Sequence, residues 1–250
     1  GTWAEVVKKT MPGVPVILTP TGSGSGIVVR DDGLILTNKH VVAGGKVARL
    51  RFKNGEYPAV VVKESEKFDL AILKTYGSPE ELKSIFVFDT AETDSGSEIL
   101  VLGHPRGFEQ TVTRGIVSAY RDLEVLDMPS QRYLQVDAAI NGGNSGGPII
   151  NRSGKAVGVS TWVYRGGNES LGFGVPAVSA QQFLDMTFED IDSGKVTVPT
   201  ENDVASLCFD PDPLKSLQSY FTDSPYKVDE LEREKGVSTN QYNWKLKTPT

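Results

Sequence analysis

Between Val14 and Val175 the chain is a succession of short β-branched runs, each too short for a stable helix and each closed by glycine or a polar turn. Such a chain is confined to an antiparallel all-β architecture. Strands are predicted over 25–29, 34–37, 47–52, 57–63, 70–73, 98–103, 111–120, 133–136, 147–151, 156–163 and 172–175. Asp32-Gly33, Asn54-Gly55 and Ser153-Gly154 supply turn chemistry between runs. Helical signals are confined to residues 3–10 and 177–186, the second opening after Pro176. The spacing fits two barrels in one domain over 1–188, dividing near 90–130. Beyond, Asp, Pro, Ser, Lys and Glu dominate and apolar residues are too sparse for a second core. Residues 189–250 therefore read as an extension that is packed on the domain or partly disordered.

With Cys208 as the only cysteine, no internal disulfide can form and packing alone must hold the fold. A net charge of −6 without a basic run argues against a nucleic-acid partner. No apolar stretch approaches the roughly 20 residues of a membrane helix. The chain opens on Gly1 without a leader-like start, which reads as a chain trimmed before residue 1 and leaves its compartment unread. The two histidines are far apart and Cys208 is distant from both, so no metal-ligand spacing is present and no cofactor is implied. The glycine-rich stretch 21–26 lacks the Gly-Lys-Ser/Thr ending of a phosphate loop and reads as a loop feeding a strand.

One constellation carries chemistry. Hydrolysis of an acyl bond by serine needs a nucleophile on a sharp turn, backbone N–H groups aimed at the oxyanion, a base beside the hydroxyl and a carboxylate behind the base. Gly142-Gly143-Asn144-Ser145-Gly146-Gly147-Pro148 offers such a turn between apolar strands, with the N–H groups of Gly143 and Ser145 as oxyanion donors. His40 ends one strand within Thr37-Asn38-Lys39-His40-Val41-Val42. Asp69 opens the apolar run Asp69-Leu70-Ala71-Ile72-Leu73, where a carboxylate needs a partner. Pairing with His40 Nδ1 would leave Nε2 free to take the Ser145 proton. The second histidine, His104, precedes a proline and reads as a loop residue, and Asp137 as support for the active-site loop.

These segments, with Gly22-Ser23-Gly24-Ser25-Gly26, Thr111-Val112-Thr113-Arg114-Gly115-Ile116-Val117-Ser118 and Asp137-Ala138-Ala139-Ile140-Asn141, resemble the HtrA/Deg family of chymotrypsin-fold serine proteases over residues 3–186. The resemblance implies a chymotrypsin-like double six-stranded antiparallel β-barrel with short terminal helices. It further implies ATP-independent cleavage of unfolded or misfolded proteins, an extracytoplasmic setting (periplasm or cell envelope), and homotrimers formed through the N-terminal segment. Trp3 is open to two readings, a trimer anchor or an aromatic packed on its own barrel. Nothing after residue 188 is long enough for the PDZ domain that family members commonly carry. In this fold the position six residues before the nucleophile, Ala139, lies at the base of the specificity pocket. With Ile140 beside it and Thr161, Trp162 and Val163 as wall, no fixed negative charge faces the substrate, and small or medium aliphatic residues are expected before the cut. The strand at 160–163 is expected to pair with extended substrate. Two other functions fit the residues: a chaperone-like or latent binding module on a protease scaffold, and a dedicated processing protease docked through its tail.

Overall fold

The computed structural model describes residues 1–200 except 20–21, 44, 78, 105–109, 126–127 and 167–168. Cys208 and residues 201–250 of the 189–250 extension lie outside the described residues. Helix α1 (Trp3–Thr10) begins where the sequence places it. Thr2 Oγ1 accepts the Glu5 N–H at 3.3 Å and Glu5 Oε2 accepts the Thr2 N–H at 2.8 Å, a reciprocal cap at the start of the helix.

The first barrel comprises β1 (Val16–Thr19), β2 (Gly22–Ser25), β3 (Ile27–Arg30), β4 (Leu34–Thr37), β5 (Val47–Phe52), β6 (Gly55–Glu64) and β7 (Ala71–Thr75), hydrogen-bonded in the order β2-β1-β5-β6-β7-β4-β3. The two ends of this order, β2 and β3, are separated in the chain by Gly26 alone. They act as one bent strand that brings the sheet back on itself, so the seven segments make a six-stranded barrel. The 21–26 stretch is thus largely strand rather than the loop expected from sequence, because Gly22–Ser25 pairs residue for residue with Val16–Thr19. The Asn54-Gly55 turn is displaced by one residue: Phe52 pairs with Gly55, leaving Lys53 and Asn54 as the loop.

The second barrel is closed in the order β10-β13-β12-β11-β8-β9, from β8 (Glu98–Gly103), β9 (Thr111–Val125), β10 (Met128–Val136), β11 (Pro148–Ile150), β12 (Ala156–Gly166) and β13 (Glu169–Pro176). This is the double barrel that the resemblance implies. It also explains why several strands read as unbroken apolar runs. In β4, Ile35 points into its barrel while Leu34 and Leu36 point into the core between the barrels, and in β8 Ile99 and Val101 face in while Leu100 and Leu102 face the junction. Trp3 packs against that junction core, and the Arg152 guanidinium lies 4.9 Å from its ring centroid, so its observed contacts are with its own barrel.

The helix after β13, α3 (Ala177–Asp192), runs well past the expected end at 186, because its far end has partners on the first barrel. Lys63 donates to Asp190 at 2.5 Å, Arg30 to Asp192 at 3.1 Å, and the Arg30 guanidinium sits 5.0 Å from the Phe188 ring centroid. The helix therefore ties the barrels together. Beyond it, the Tyr76 hydroxyl donates to the Pro199 carbonyl at 2.6 Å. Hydrogen bonds from Lys63 and then Lys195 hold the Asp190 carboxyl below the ordinary carboxylate range. A carboxyl depressed on folding contributes stability above its unfolded value, about pH 4, and loses that contribution as the pH falls through the folded value. Acidification from about pH 6 to pH 3 is therefore expected to lower the thermal midpoint of wild type more than that of Lys63→Met. Equal losses in calorimetry would show that the strap does not hold the barrels. No helix among the described residues is long and apolar enough to cross a membrane.

Candidate active site

His40 lies in α2 (Lys39–Val42), a single helical turn that follows β4. Asp69 precedes β7 and accepts from His40 twice: Oδ2 lies 2.6 Å from His40 Nδ1, and Oδ1 accepts the His40 backbone N–H at 2.9 Å. The carboxylate so fixes both the ring and its backbone. With the Nδ1 proton committed to Asp69, Nε2 is the acceptor.

The carboxylate is itself held by its loop. Ser65 Oγ accepts the N–H groups of Lys67 at 3.2 Å and Phe68 at 2.9 Å, and Phe68 is buried. Asn38 Nδ2 donates to the Asp69 carbonyl at 2.8 Å, and Gln131 Nε2, reaching from β10 of the other barrel, donates to the Lys67 carbonyl at 2.6 Å. Tyr133, on the same face of β10 as Gln131, is buried, and its phenol is pushed above its ordinary pKa by burial and by the Asp69 charge.

Ser145 sits on the loop between β10 and β11. Asn144 N–H donates to Asn141 O at 3.0 Å and Gly147 N–H to Asn144 O at 2.9 Å, making two tight turns around the serine. Gly146 has φ +87°, and a Cβ there would stand 2.2 Å from both the Ser25 carbonyl and Thr37 Oγ1, so only glycine fits. Gly146 N–H donates to Ser160 O at 2.8 Å and Ser25 N–H to Ser145 O at 2.9 Å. The N–H groups of Gly143 and Ser145 make no hydrogen bond among the described residues. They are the pair expected from sequence as oxyanion donors.

The barrels bring the two halves together through β2 and β12. A side chain on Gly24 would meet Val41, next to His40, at 2.7 Å and the Ser145 carbonyl at 3.0 Å. Asn38 Nδ2 reaches Thr161 Oγ1 at 3.2 Å, and the Ser145 hydroxyl donates to the Thr161 carbonyl at 3.1 Å. The Ser145 hydroxyl thus donates to the Thr161 carbonyl rather than to His40 in this structure.

Thr161 is the extra residue of a bulge, since Ser160 pairs with Gly174 and Trp162 with Phe173. Its side chain is buried, donating to Val159 O at 2.8 Å and accepting from Val175 N–H at 3.3 Å, so only its backbone faces the serine. Trp162 stacks on Phe173 with centroids 4.3 Å apart, and Tyr133 meets its edge at 5.7 Å. Val163 is half-buried against the second barrel's core. Ala139 is exposed, its carbonyl accepting from Thr113 Oγ1 at 2.8 Å, whereas Ile140 is buried. A Cβ on Gly172, which pairs with Val163, would lie 2.8 Å from Ile140 Cδ1. Ile140 therefore occupies the space beside Gly172.

His104 is placed apart from this constellation and is buried rather than open to solvent as a loop histidine would be. Its Nε2 donates to Val14 O at 2.7 Å and its Nδ1 accepts Gln110 N–H at 3.0 Å. Asp137 Oδ1 accepts the Ile116 N–H at 2.6 Å, tying the start of the active-site loop to β9. Asn38, Gln131, Tyr133 and Ser25 were not singled out for this site from sequence. Of these only Asn38, two residues before His40, carried a positional signal.

Residues 24–159 match the model of the trypsin-like peptidase domain. A probable periplasmic DegP-like serine endoprotease of Rhizobium meliloti is 37% identical over 176 residues, 69% of this chain and 34% of that protein. The mitochondrial serine protease HTRA2 of Bos taurus is 37% identical over 196 residues, 72% of this chain and 42% of its own length. The chain thus spans well under half of either relative. Among solved structures, the HtrA-type protease AlgW with a tripeptide superposes at TM-score 0.68 and 29% identity, covering 78% of this chain and 65% of that one. The Rv3671c protease in its inactive form superposes at TM-score 0.64 and 29% identity, covering 71% and 90%. A double barrel, a serine between two tight turns and a histidine held by an aspartate thus coincide with these matches, and the chain belongs to the trypsin-like peptidase family, on its HtrA/Deg side.

Proposed function

We propose that the protein is a serine endopeptidase that cleaves extended segments of unfolded or misfolded polypeptide. The observation that carries this reading is the two-point hold of Asp69 on His40, at 2.6 and 2.9 Å, which fixes the tautomer a general base needs. Ser145 Oγ attacks the scissile carbonyl while its proton passes to His40 Nε2, and Asp69 stabilises the imidazolium. The oxyanion is received by Gly143 and Ser145 N–H. His40 then protonates the leaving amine, and water hydrolyses the acyl-enzyme by the reverse sequence.

Recognition of extended chain is supported by the free edge of β12. Strand β11 pairs with β12 from Ala156 to Val159 and no further, so opposite β13 the edge at 161–163 beside Ser145 carries no paired strand among the described residues. A substrate N–H donated to the Thr161 carbonyl would compete with the Ser145 hydroxyl for that acceptor and release its proton towards His40. The pocket residues Ala139, Ile140, Thr161, Trp162 and Val163 bear no charge, and Ile140 fills the space beside Gly172. Small and medium aliphatic side chains are therefore favoured before the cut. Ile140→Ala is expected to raise the ratio of kcat/KM for phenylalanine over valine peptides about tenfold. An unchanged ratio would place the pocket elsewhere.

A latent form is the second reading, favoured by the hydrogen bond that the Ser145 hydroxyl donates to the Thr161 carbonyl. Digestion of unfolded casein by wild type and Ser145→Ala, with the new termini read by mass spectrometry, separates the two. Serine-dependent cuts after valine, alanine or isoleucine support the endopeptidase; binding of casein without cutting supports the latent module. The periplasmic setting of the Rhizobium meliloti relative favours an extracytoplasmic location, and the family resemblance favours a homotrimer, which fractionation and light scattering test.

A further inference from the structure

Ser25, at the end of β2, is fully buried and uses every polar group it has. Its N–H donates to the Ser145 carbonyl at 2.9 Å and its carbonyl accepts from Thr37 Oγ1 at 2.8 Å. Its hydroxyl donates to the Gly143 carbonyl at 2.6 Å and accepts the His104 N–H at 3.0 Å. One residue of the first barrel therefore grips the chain on both sides of Asn144.

The Gly143 contact has a specific consequence. Gly143 has φ +104° and lies in a run of glycines, where peptide planes rotate at little steric cost. Rotation of the Gly143–Asn144 peptide would strip the Gly143 carbonyl of its donor and withdraw the Asn144 N–H from Asn141, leaving buried polar groups unpaired. The Gly143 N–H belongs to the peptide before this plane and the Ser145 N–H to the peptide after it, so the Ser25 hydroxyl, together with the Asn144 N–H bond to Asn141, fixes the backbone from which both donors extend.

We propose that Ser25 is a positioning residue for the oxyanion hole: its hydroxyl holds the Gly143 carbonyl so that the N–H groups of Gly143 and Ser145 stay aimed at one point. The proposal rests on the endopeptidase reading and deepens it. Ser25 touches no substrate, so its removal acts on the transition state more than on ground-state binding.

Ser25→Ala and Ser25→Cys, the latter close in volume and a weak donor, are compared with wild type on a quenched alanine-valine peptide. Both are expected to lose about tenfold to a hundredfold in kcat, with KM within about twofold. Affinity for an Ala-Ala-Val boronic acid, whose tetrahedral adduct needs the oxyanion donors, is expected to fall in parallel. Affinity for the same peptide as an amide is expected to stay unchanged. A kcat equal to wild type, or kcat, KM and thermal midpoint of the cysteine variant all collapsing together, would overturn the proposal. A wild type that cuts no better than Ser145→Ala would instead overturn the endopeptidase reading, and the proposal with it.

Discussion

Replacing Ser145 by alanine is expected to lower kcat by about a million-fold, the loss that follows when the nucleophile is taken from such a catalytic unit. The fold should survive, because among the described residues the Ser145 hydroxyl makes a single hydrogen bond, to the Thr161 carbonyl, and is not a core contact. The backbone bonds that shape the loop, Ser25 N–H to Ser145 O and Gly146 N–H to Ser160 O, do not involve the side chain. Alanine at 145 should therefore bind unfolded protein as wild type does. An alanine variant retaining more than about a thousandth of the wild-type rate would mean that another group attacks.

The second large effect is expected at Asp69. Its two oxygens each accept one hydrogen bond, from His40 Nδ1 and from the His40 backbone N–H. Asparagine has the same shape and only one acceptor oxygen. If that oxygen keeps the backbone N–H, the amide NH2 faces Nδ1, which must then become an acceptor. The ring proton moves to Nε2, and the base is unable to take the Ser145 proton. Asp69→Asn should cut kcat by about 10⁴-fold with little change in circular dichroism or KM. A loss of less than about tenfold would show that Asp69 serves the loop rather than the histidine.

What the sequence made legible follows from how each feature is encoded. Asp69 and His40 stood out because polar residues at the ends of apolar strands demand partners, and Ser145 because glycines crowd both its sides. Most strands were readable where glycine or polar turns bounded them, but Gly22–Ser25 was not, because its own glycines read as a loop. Strand β1 was missed because Val16–Thr19 is only four residues long and follows Pro15, so neither length nor alternation marks it. The α2 turn is likewise too short to show a helical period. The extra length of α3 depends on Arg30 and Lys63, far away in the chain. The supports of the site were hidden for the same reason. The hydroxyl of Ser25 meets a carbonyl 118 residues away, and Gln131 reaches back 64 residues to Lys67. Neither pairing leaves a local pattern, since both are created by the meeting of two barrels. His104 was placed in a loop correctly by its proline, but its burial comes from contact with Val14, 90 residues earlier.

We propose that His40, oriented by Asp69, activates Ser145 and no other group. Labelling the folded protein with a fluorophosphonate and mapping the adduct by mass spectrometry tests it most directly, because only an activated serine beside oxyanion donors reacts readily. A single adduct on Ser145, formed far more slowly in His40→Ala, is the predicted result. An adduct on another residue, or equal labelling of wild type and His40→Ala, would contradict it.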